Sequence, residues 1–466
     1  MHGVVMDRMT PWESAGVSSF CGSIVQLDDG RWRMYYYANQ YSPLCMRIMI
    51  AESADGFDWQ RPNLGQVQID GADTNAIWIE GLYAGANVTQ PIVLRLPDGR
   101  WRMYCWLHGQ EQGLIRYIIS ESEDGLAWRT LGIDRPAIFH PADLEVGQAG
   151  WTAGLTQADP NARFDDRRAW DFLAAKRLRS NDATYVYYDE TAGCYEMFSV
   201  WLLPNQESNH RVTPHDNAPR VLRVIHRRTS EDGLAWGDPE IVVLPDGTDP
   251  LTQQFYYLSQ HREDDWRIGF LGNYACWDQT MDVELCFSRD GRDWLRPLRD
   301  GFIPRSPVPA GDCMSAYAPD RLIPTADGRW LMLYRAGNSR HNHTLPDGVT
   351  EKHHAIYGAT WPQGRFAGLA TSGTAGRMLF KPFVLLGDEI VLNANVTGHV
   401  RAELRDPLGG RLEGFELHNS VLASGDGKLT LRWEKDGQGQ LPAQFRYDAV
   451  QLYLEVADGT IYSVAY

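Results

Sequence analysis

Two short elements alternate along most of this chain, and their repetition constrains the fold more than any other feature. The first reads Asp-Gly-Arg-Trp followed by an alternating apolar run. It begins at Asp28 (DDGRWRMYYY), Pro97 (PDGRWRMYCW) and Ala326 (ADGRWLMLYR), with weaker copies at Ala192 and Glu263. Its aromatic anchors are Trp32, Trp101, Tyr195, Trp266 and Trp330. The second reads Ser-x-Asp-Gly-x-x-Trp and follows at Ser53–Trp59, Ser122–Trp128, Ser230–Trp236 and Ser288–Trp294, with a degraded copy ending near Trp361. Trp32 and Trp59 are separated by the same interval as Trp101 and Trp128, and Trp266 and Trp294 by one residue more. Repetition at this period marks stacked or radial supersecondary units. Asp-Gly suits tight turns, because glycine accepts positive φ and aspartate bonds its own backbone. Each unit therefore reads as four antiparallel strands, and five such units closed radially make a five-bladed β-propeller, which avoids the long exposed edges of an open array.

The chain has 466 residues, too many for one core of ordinary size. After Trp361 the pattern changes to period-two strands separated by Gly and Asp turns. This predicts an all-β chain: a propeller over residues 1–370 and a β-sandwich over 371–466. The third unit is extended by a long insertion between about Gly132 and Ser180 and by a long internal turn, LPNQESNHRVTPHDNAPR. Long insertions on a rigid scaffold are where binding segments concentrate.

A net charge of −16 argues against nucleic acid or an anionic membrane as partner and says nothing about a neutral sugar. The seven cysteines lack any Cys-x-x-Cys pair, and several sit inside strand-like runs, which favours free buried thiols over a disulfide framework or a zinc-thiolate site. No apolar run reaches membrane-spanning length, and the first residues show no signal-peptide core. The expectation is a cytoplasmic protein, or a secreted one if a leader has been removed. The sequence does not speak to oligomeric state.

The Ser-x-Asp-Gly-x-x-Trp turns on five blades, with an all-β tail containing LNANVTGHVRAELRD, resemble the five-bladed propeller glycosidases of the invertase, levanase and arabinanase type. The resemblance implies a glycoside hydrolase or transglycosidase acting on a furanoside or small oligosaccharide, with no cofactor. The chain lacks the invertase-like Trp-Met-Asn-Asp-Pro signature, an Arg-Asp-Pro on blade two and a Glu-Cys acid motif on blade three. Its site residues therefore come from propeller geometry rather than from the family.

In a propeller every inner strand starts at the same mouth, so the residues just before these strands converge. Glu13, Asp182, Asp249 and Asp312 stand at four of the five entrances. Glycoside hydrolysis needs two carboxyl groups flanking the bond. Glu13 and Asp182 are the expected working pair, with Asp249 and Asp312 orienting hydroxyls or tuning the acid. Sugar rings stack on aromatic faces and bond polar edges. Trp12, Asn87, Trp106, His108, Trp277, Arg340 and His341 are the expected contacts. Two alternatives stay open: a glycoside phosphorylase, for which Arg335, Arg340 and His341 supply a cationic pocket, and a non-catalytic carbohydrate-binding propeller. His341, His343, His353 and His354 cluster in sequence, but the spacing fits no common zinc pattern, and no metal is expected.

Overall fold

A computed structural model describes residues 3–466 apart from 15, 42–43, 84, 109–114, 133–179, 206–209, 214, 217–220 and 372. The repeats fold as the turn chemistry dictates. In the first Ser-x-Asp-Gly-x-x-Trp turn, Ser53 Oγ accepts the Gly56 N–H at 2.8 Å and Asp55 Oδ1 accepts those of Phe57 and Asp58 at 2.8 and 3.0 Å. Trp59 Nε1 closes the turn on Gly56 O at 2.7 Å. Gly56 has φ +84°, where a side chain is strained. The turns at Ser122 and Ser288 repeat all of these bonds, and that at Ser230 repeats them without the Trp236 indole bond.

The turns at Ser122 and Ser230 also dock on the preceding blade. Tyr35 of blade one donates its hydroxyl to Gly125 O at 2.7 Å, and Tyr104 of blade two donates to Gly233 O at 2.7 Å. Arg33 and Arg102, two residues before these tyrosines, donate to the carbonyls of Asp124 and Asp232. These bonds join blade one to blade two and blade two to blade three.

Blade one pairs Gly16–Gln26, Trp32–Tyr41 and Leu44–Ser53, with a fourth chain bridged at Ala76. Blade two runs Asn87–Arg95, Trp101–His108, Ile115–Ser122 and Trp128–Thr130. Blade three runs Ser180–Asp189, Cys194–Pro204, Val221–Ser230 and Glu240–Val243. Blade four runs Gln253–Glu263, Trp266–Ala275, Thr280–Ser288 and Gly301–Ile303. Blade five has a broken inner strand, Ser315–Tyr317 and Ile323–Pro324, then Arg329–Gly337 and His354–Pro362. Its outermost strand comes from the other end of the chain: Gly3–Met6 pairs antiparallel with Ile356–Gly358. Blade contacts run in order around the ring, and blade five's Arg329–Gly337 touches blade one's Gly16–Gln26. The cores are the layers between blades. Met6, Trp32, Met34, Leu331 and Ile356 fill the layer between blades five and one, and Tyr35, Ile48, Val93, Trp101 and Met103 that between one and two.

The chain divides into Met1–Thr360 and Trp361–Tyr466. In the second unit, Ala449–Ala465 and Val391–Arg405 are the central strands of a six-stranded sheet. Leu392, Leu404 and Leu452 from this sheet pack with Phe415 and Trp433, the latter in a two-stranded hairpin with Gln438–Gln440. Among the described cysteines, Cys105, Cys194, Cys276, Cys286 and Cys313 are all free thiols.

Candidate functional site

The Asp-Gly turns occupy one rim of the propeller. The starts of the inner strands and the loops between second and third strands occupy the other. On that second rim a cavity of about 190 Å³ opens between blades one, two, four and five. Phe20 and Tyr37 come from blade one, Gln90 from blade two and Tyr256 from blade four. Blade five contributes Ser315, Tyr317, Arg335, Ser339, Arg340, His341 and His343. The aromatic wall is continuous: the Phe20 ring lies 4.6 Å from that of Tyr317 and 6.1 Å from that of Tyr256. Gln90 is held at φ +57° at a strand irregularity, with its Oε1 accepting the Tyr117 hydroxyl at 3.0 Å.

Blade five fixes the polar end. Arg335 lies over the Tyr317 ring at 4.7 Å and donates to Ser315 Oγ at 3.1 Å. Its other terminal nitrogen is 3.0 Å from His354 Nδ1. Guanidinium only donates, so His354 Nδ1 must accept and its proton must sit on Nε2. His354 Nε2 therefore donates to Ser339 Oγ, 2.8 Å away. Burial, with Arg335 and Lys352 alongside, holds His354 well below the usual imidazole range, so it stays neutral. Gly337 makes this arrangement possible, because a Cβ there would overlap His354 Cδ2.

Behind the opposite wall lies a paired charge. Arg223 is fully buried and forms a two-pronged bond to Asp216, both contacts 2.9 Å. Tyr274 donates its hydroxyl to Asp216 Oδ2 at 2.8 Å. His341 packs against the rings of Tyr256 and Tyr274, each 4.9 Å away, and its Nδ1, 3.9 Å from Asp216 Oδ1, has no hydrogen-bond partner among the described residues. Burial lowers the His341 pKa to about 3 despite Asp216, so the ring is neutral near pH 7.

Of the expected site residues, Arg340 and His341 line this cavity. Glu13 does not; it is fully buried at the layer between blades five and one. Its Oε1 accepts the Tyr36 hydroxyl at 2.7 Å and Arg61 Nε at 2.8 Å. Its Oε2 accepts the Met9 and Thr10 N–H groups at 2.8 and 3.2 Å, which leaves little room for chemistry. Asp249 is held the same way, by Arg296 at 2.8 Å on both oxygens, by Arg299 at 2.7 Å and by the Asp246 N–H at 2.8 Å. Burial alone would raise the Asp249 pKa, but these donors outweigh it and hold the carboxyl below its usual range. Arg61 and Arg296 each lie two residues past the Trp of a Ser-x-Asp-Gly-x-x-Trp turn. The acid before the inner strand and this Arg thus form a clasp used in blades one and four.

Asp312 is buried and accepts the Ser306 hydroxyl at 2.9 Å, outside the cavity lining. Asp182 belongs to blade three's inner strand, but its side chain lies outside the described residues, as does that of His108. Trp12 is packed in the layer between blades five and one, its indole donating to Asn75 at 3.3 Å. Asn87 accepts the Met46 N–H at 2.9 Å, tying blade two to blade one. Trp106 is buried edge-on to Tyr117, and Trp277 is half-exposed with its indole on His210 O at 2.8 Å. Of the four clustered histidines, His341 and His343 line the cavity and His354 serves Arg335 and Ser339 beside it, while His353 faces Asp7 at 3.2 Å. Among the described residues no three metal-ligating side chains gather.

The sequence matches no family model and no curated protein. Among solved structures the chain is similar to one described as a glycoside hydrolase, at 14% identity, covering 77% of this chain and 90% of that one, TM-score 0.48. It is also similar to a glycosyl hydrolase from Bacteroides ovatus, at 12% identity over 77% and 89%, TM-score 0.46. A putative glycosidase from Bacteroides thetaiotaomicron aligns at 14% identity over 76% and 91%, TM-score 0.44. The likeness is one of fold, and it assigns no role to any residue.

Proposed function

We propose that the propeller cleaves a glycosidic bond of a furanoside or small oligosaccharide bound in the central cavity. The supporting observation is the lining itself: aromatic faces from Phe20, Tyr37, Tyr256 and Tyr317 meet polar edges from Gln90, Ser315 and Ser339 where inner strands begin. Aromatic rings take the C–H faces of a sugar and the polar groups take its hydroxyls. Asp182, on the inner strand of blade three, is the acid this reading assigns to leaving-group protonation. Asp216 is a positioning residue that holds Arg223 and the Tyr274 hydroxyl, against whose ring His341 packs.

A second reading, phosphorolysis, is favoured by one feature. No carboxylate lines the cavity among the described residues, whereas Arg335 and Arg340 do. Hydrolysis needs a second carboxyl to activate water or to attack; phosphorolysis takes its nucleophile from phosphate. Turnover of nitrophenyl furanosides, nitrophenyl pyranosides and natural disaccharides, with and without inorganic phosphate, separates the two. Loss of turnover in Asp182→Asn is expected in either case. Saturable sugar binding with no cleavage of any substrate would replace both readings by a lectin.

A further inference from the structure

The cavity contains an arginine that nothing in the described protein neutralises. Arg335 makes no ion pair with any described carboxylate; its partners are Ser315, His354 and the face of Tyr317. Arg340, on the same wall, uses one terminal nitrogen on Leu345 O at 2.9 Å and also lacks an ion-pair partner among the described residues.

The hydrogen-bond sense of the neighbours is fixed by this arginine. Ser315 Oγ accepts from Arg335, so its hydrogen remains for the cavity. Ser339 Oγ accepts from His354 Nε2, so the same holds there. His343 Nδ1 faces the Lys352 ammonium at 3.5 Å, which leaves its Nε2 as the donor. Sugar hydroxyls pair best with mixed donors and acceptors. Ser315, Ser339 and His343 each keep a hydrogen to donate around a guanidinium that has no ion-pair partner among the described residues, and such an end is complementary to a group that only accepts.

We propose that the Arg335 end of the cavity is an oxyanion subsite, so that the ligand brings a carboxylate or a phosphate against Arg335, Ser315 and Ser339. The proposal rests on the central cavity being the carbohydrate site and narrows what that site accepts. It is supported by the crowding of basic groups. Burial, followed by Lys352 and Arg335, lowers His343, and burial followed by Arg335 lowers Lys352. An anion in this place would offset the mutual repulsion of Arg335, His343 and Lys352. The two sources of oxyanion are a uronic-acid sugar and free phosphate.

Calorimetric titration at low ionic strength distinguishes them. The probes are galacturonate and glucuronate, their neutral parents galactose and glucose, and inorganic phosphate. Uronates are expected to bind at least about tenfold more tightly than the neutral sugars if the substrate supplies the carboxylate. Binding by phosphate, with no uronate preference, assigns the subsite to phosphate. Ser339→Ala is expected to weaken whichever anion binds about three- to tenfold, and Arg335→Gln to abolish the preference. Equal binding of acidic and neutral sugars together with no phosphate binding overturns the subsite, as does anion binding unchanged in Arg335→Gln. The wild-type titration and Ser339→Ala decide the matter even if Arg335→Gln fails to fold. Turnover of neutral glycosides without anion preference sinks the subsite alone, whereas anion binding without any glycoside turnover sinks only the cleavage reading.

Discussion

Glu13 and Asp249 have a role that their position before an inner strand does not reveal: each is a buried anion saturated by donors. Breaking a buried pair leaves a stranded charge at a cost of about 3–5 kcal/mol. Glu13→Gln is therefore expected to lower the unfolding free energy by about that amount, read as a shift in urea midpoint at unchanged m-value, because Arg61 loses its counter-charge and the one remaining acceptor oxygen cannot serve both the Arg61–Tyr36 side and the Met9–Thr10 N–H groups. Asp249 has a depressed pKa in the folded state, so its stabilisation is present above the ordinary carboxylate range and fades as pH falls through the folded value. Asp249→Asn should flatten the acid limb of the stability curve, measured by urea unfolding from pH 7 down to pH 3. The histidines act in the same direction. His341 and His261 are pushed down to about 3 and about 4 from 6.5, so unfolding takes up protons below pH 6.5 and wild-type stability declines there. His261→Gln should remove part of that decline. These acids were visible in the sequence as entrance residues, but their direction was not. The channel and the layer between blades are both one side chain away from the same backbone. The signal that separates them is the Trp-x-Arg spacing of Trp59/Arg61 and Trp294/Arg296, a pairing that joins distant segments.

The Ser-x-Asp-Gly-x-x-Trp turns were legible because their bonds are local: Ser53, Asp55, Gly56 and Trp59 lie within one turn and need no tertiary partner to be recognised. What they dock against was not legible. Tyr35 and Arg33 look like ordinary strand residues until Gly125 O and Asp124 O arrive from the next blade. A Cβ on Gly125 would lie 2.7 Å from the Tyr35 hydroxyl, and Gly125 has φ +71°. Gly125→Ala should thus cost about 1–3 kcal/mol through strain and loss of the inter-blade bond, checked by calorimetric melting against Tyr35→Phe, which loses the bond alone. The cavity shows the same limit. Arg340 and His341 stood out as a basic loop, whereas Ser315 and Ser339 carry no signature and acquire a defined hydrogen-bond sense only through Arg335 and His354. Gly337→Ala should displace the His354 ring, and with it Ser339, and weaken ligand binding more than thermal stability; comparing a titration with a melt checks this.

The count of five repeats predicts a ring, and the ring is present, but the fifth repeat hid how it closes. Its turn is degraded near Trp361, and its outer strand is supplied by Gly3–Met6, some of the residues farthest from it in sequence. No periodicity can show a pairing between the first residues and Ile356–Gly358. Met6 is buried in the layer between blades five and one, so removing residues 1–6 strips both an edge strand and a core side chain. A truncated chain is expected to melt at lower temperature and to associate through the bared edge, measured by scanning calorimetry and light scattering. The closure also orders events on the ribosome. Gly3–Met6 has no partner until His354–Pro362 has been made, so this strand waits unpaired while all the intervening propeller strands are synthesised. A bulky group fused directly before Gly3 would sit on the seam that is zipped last.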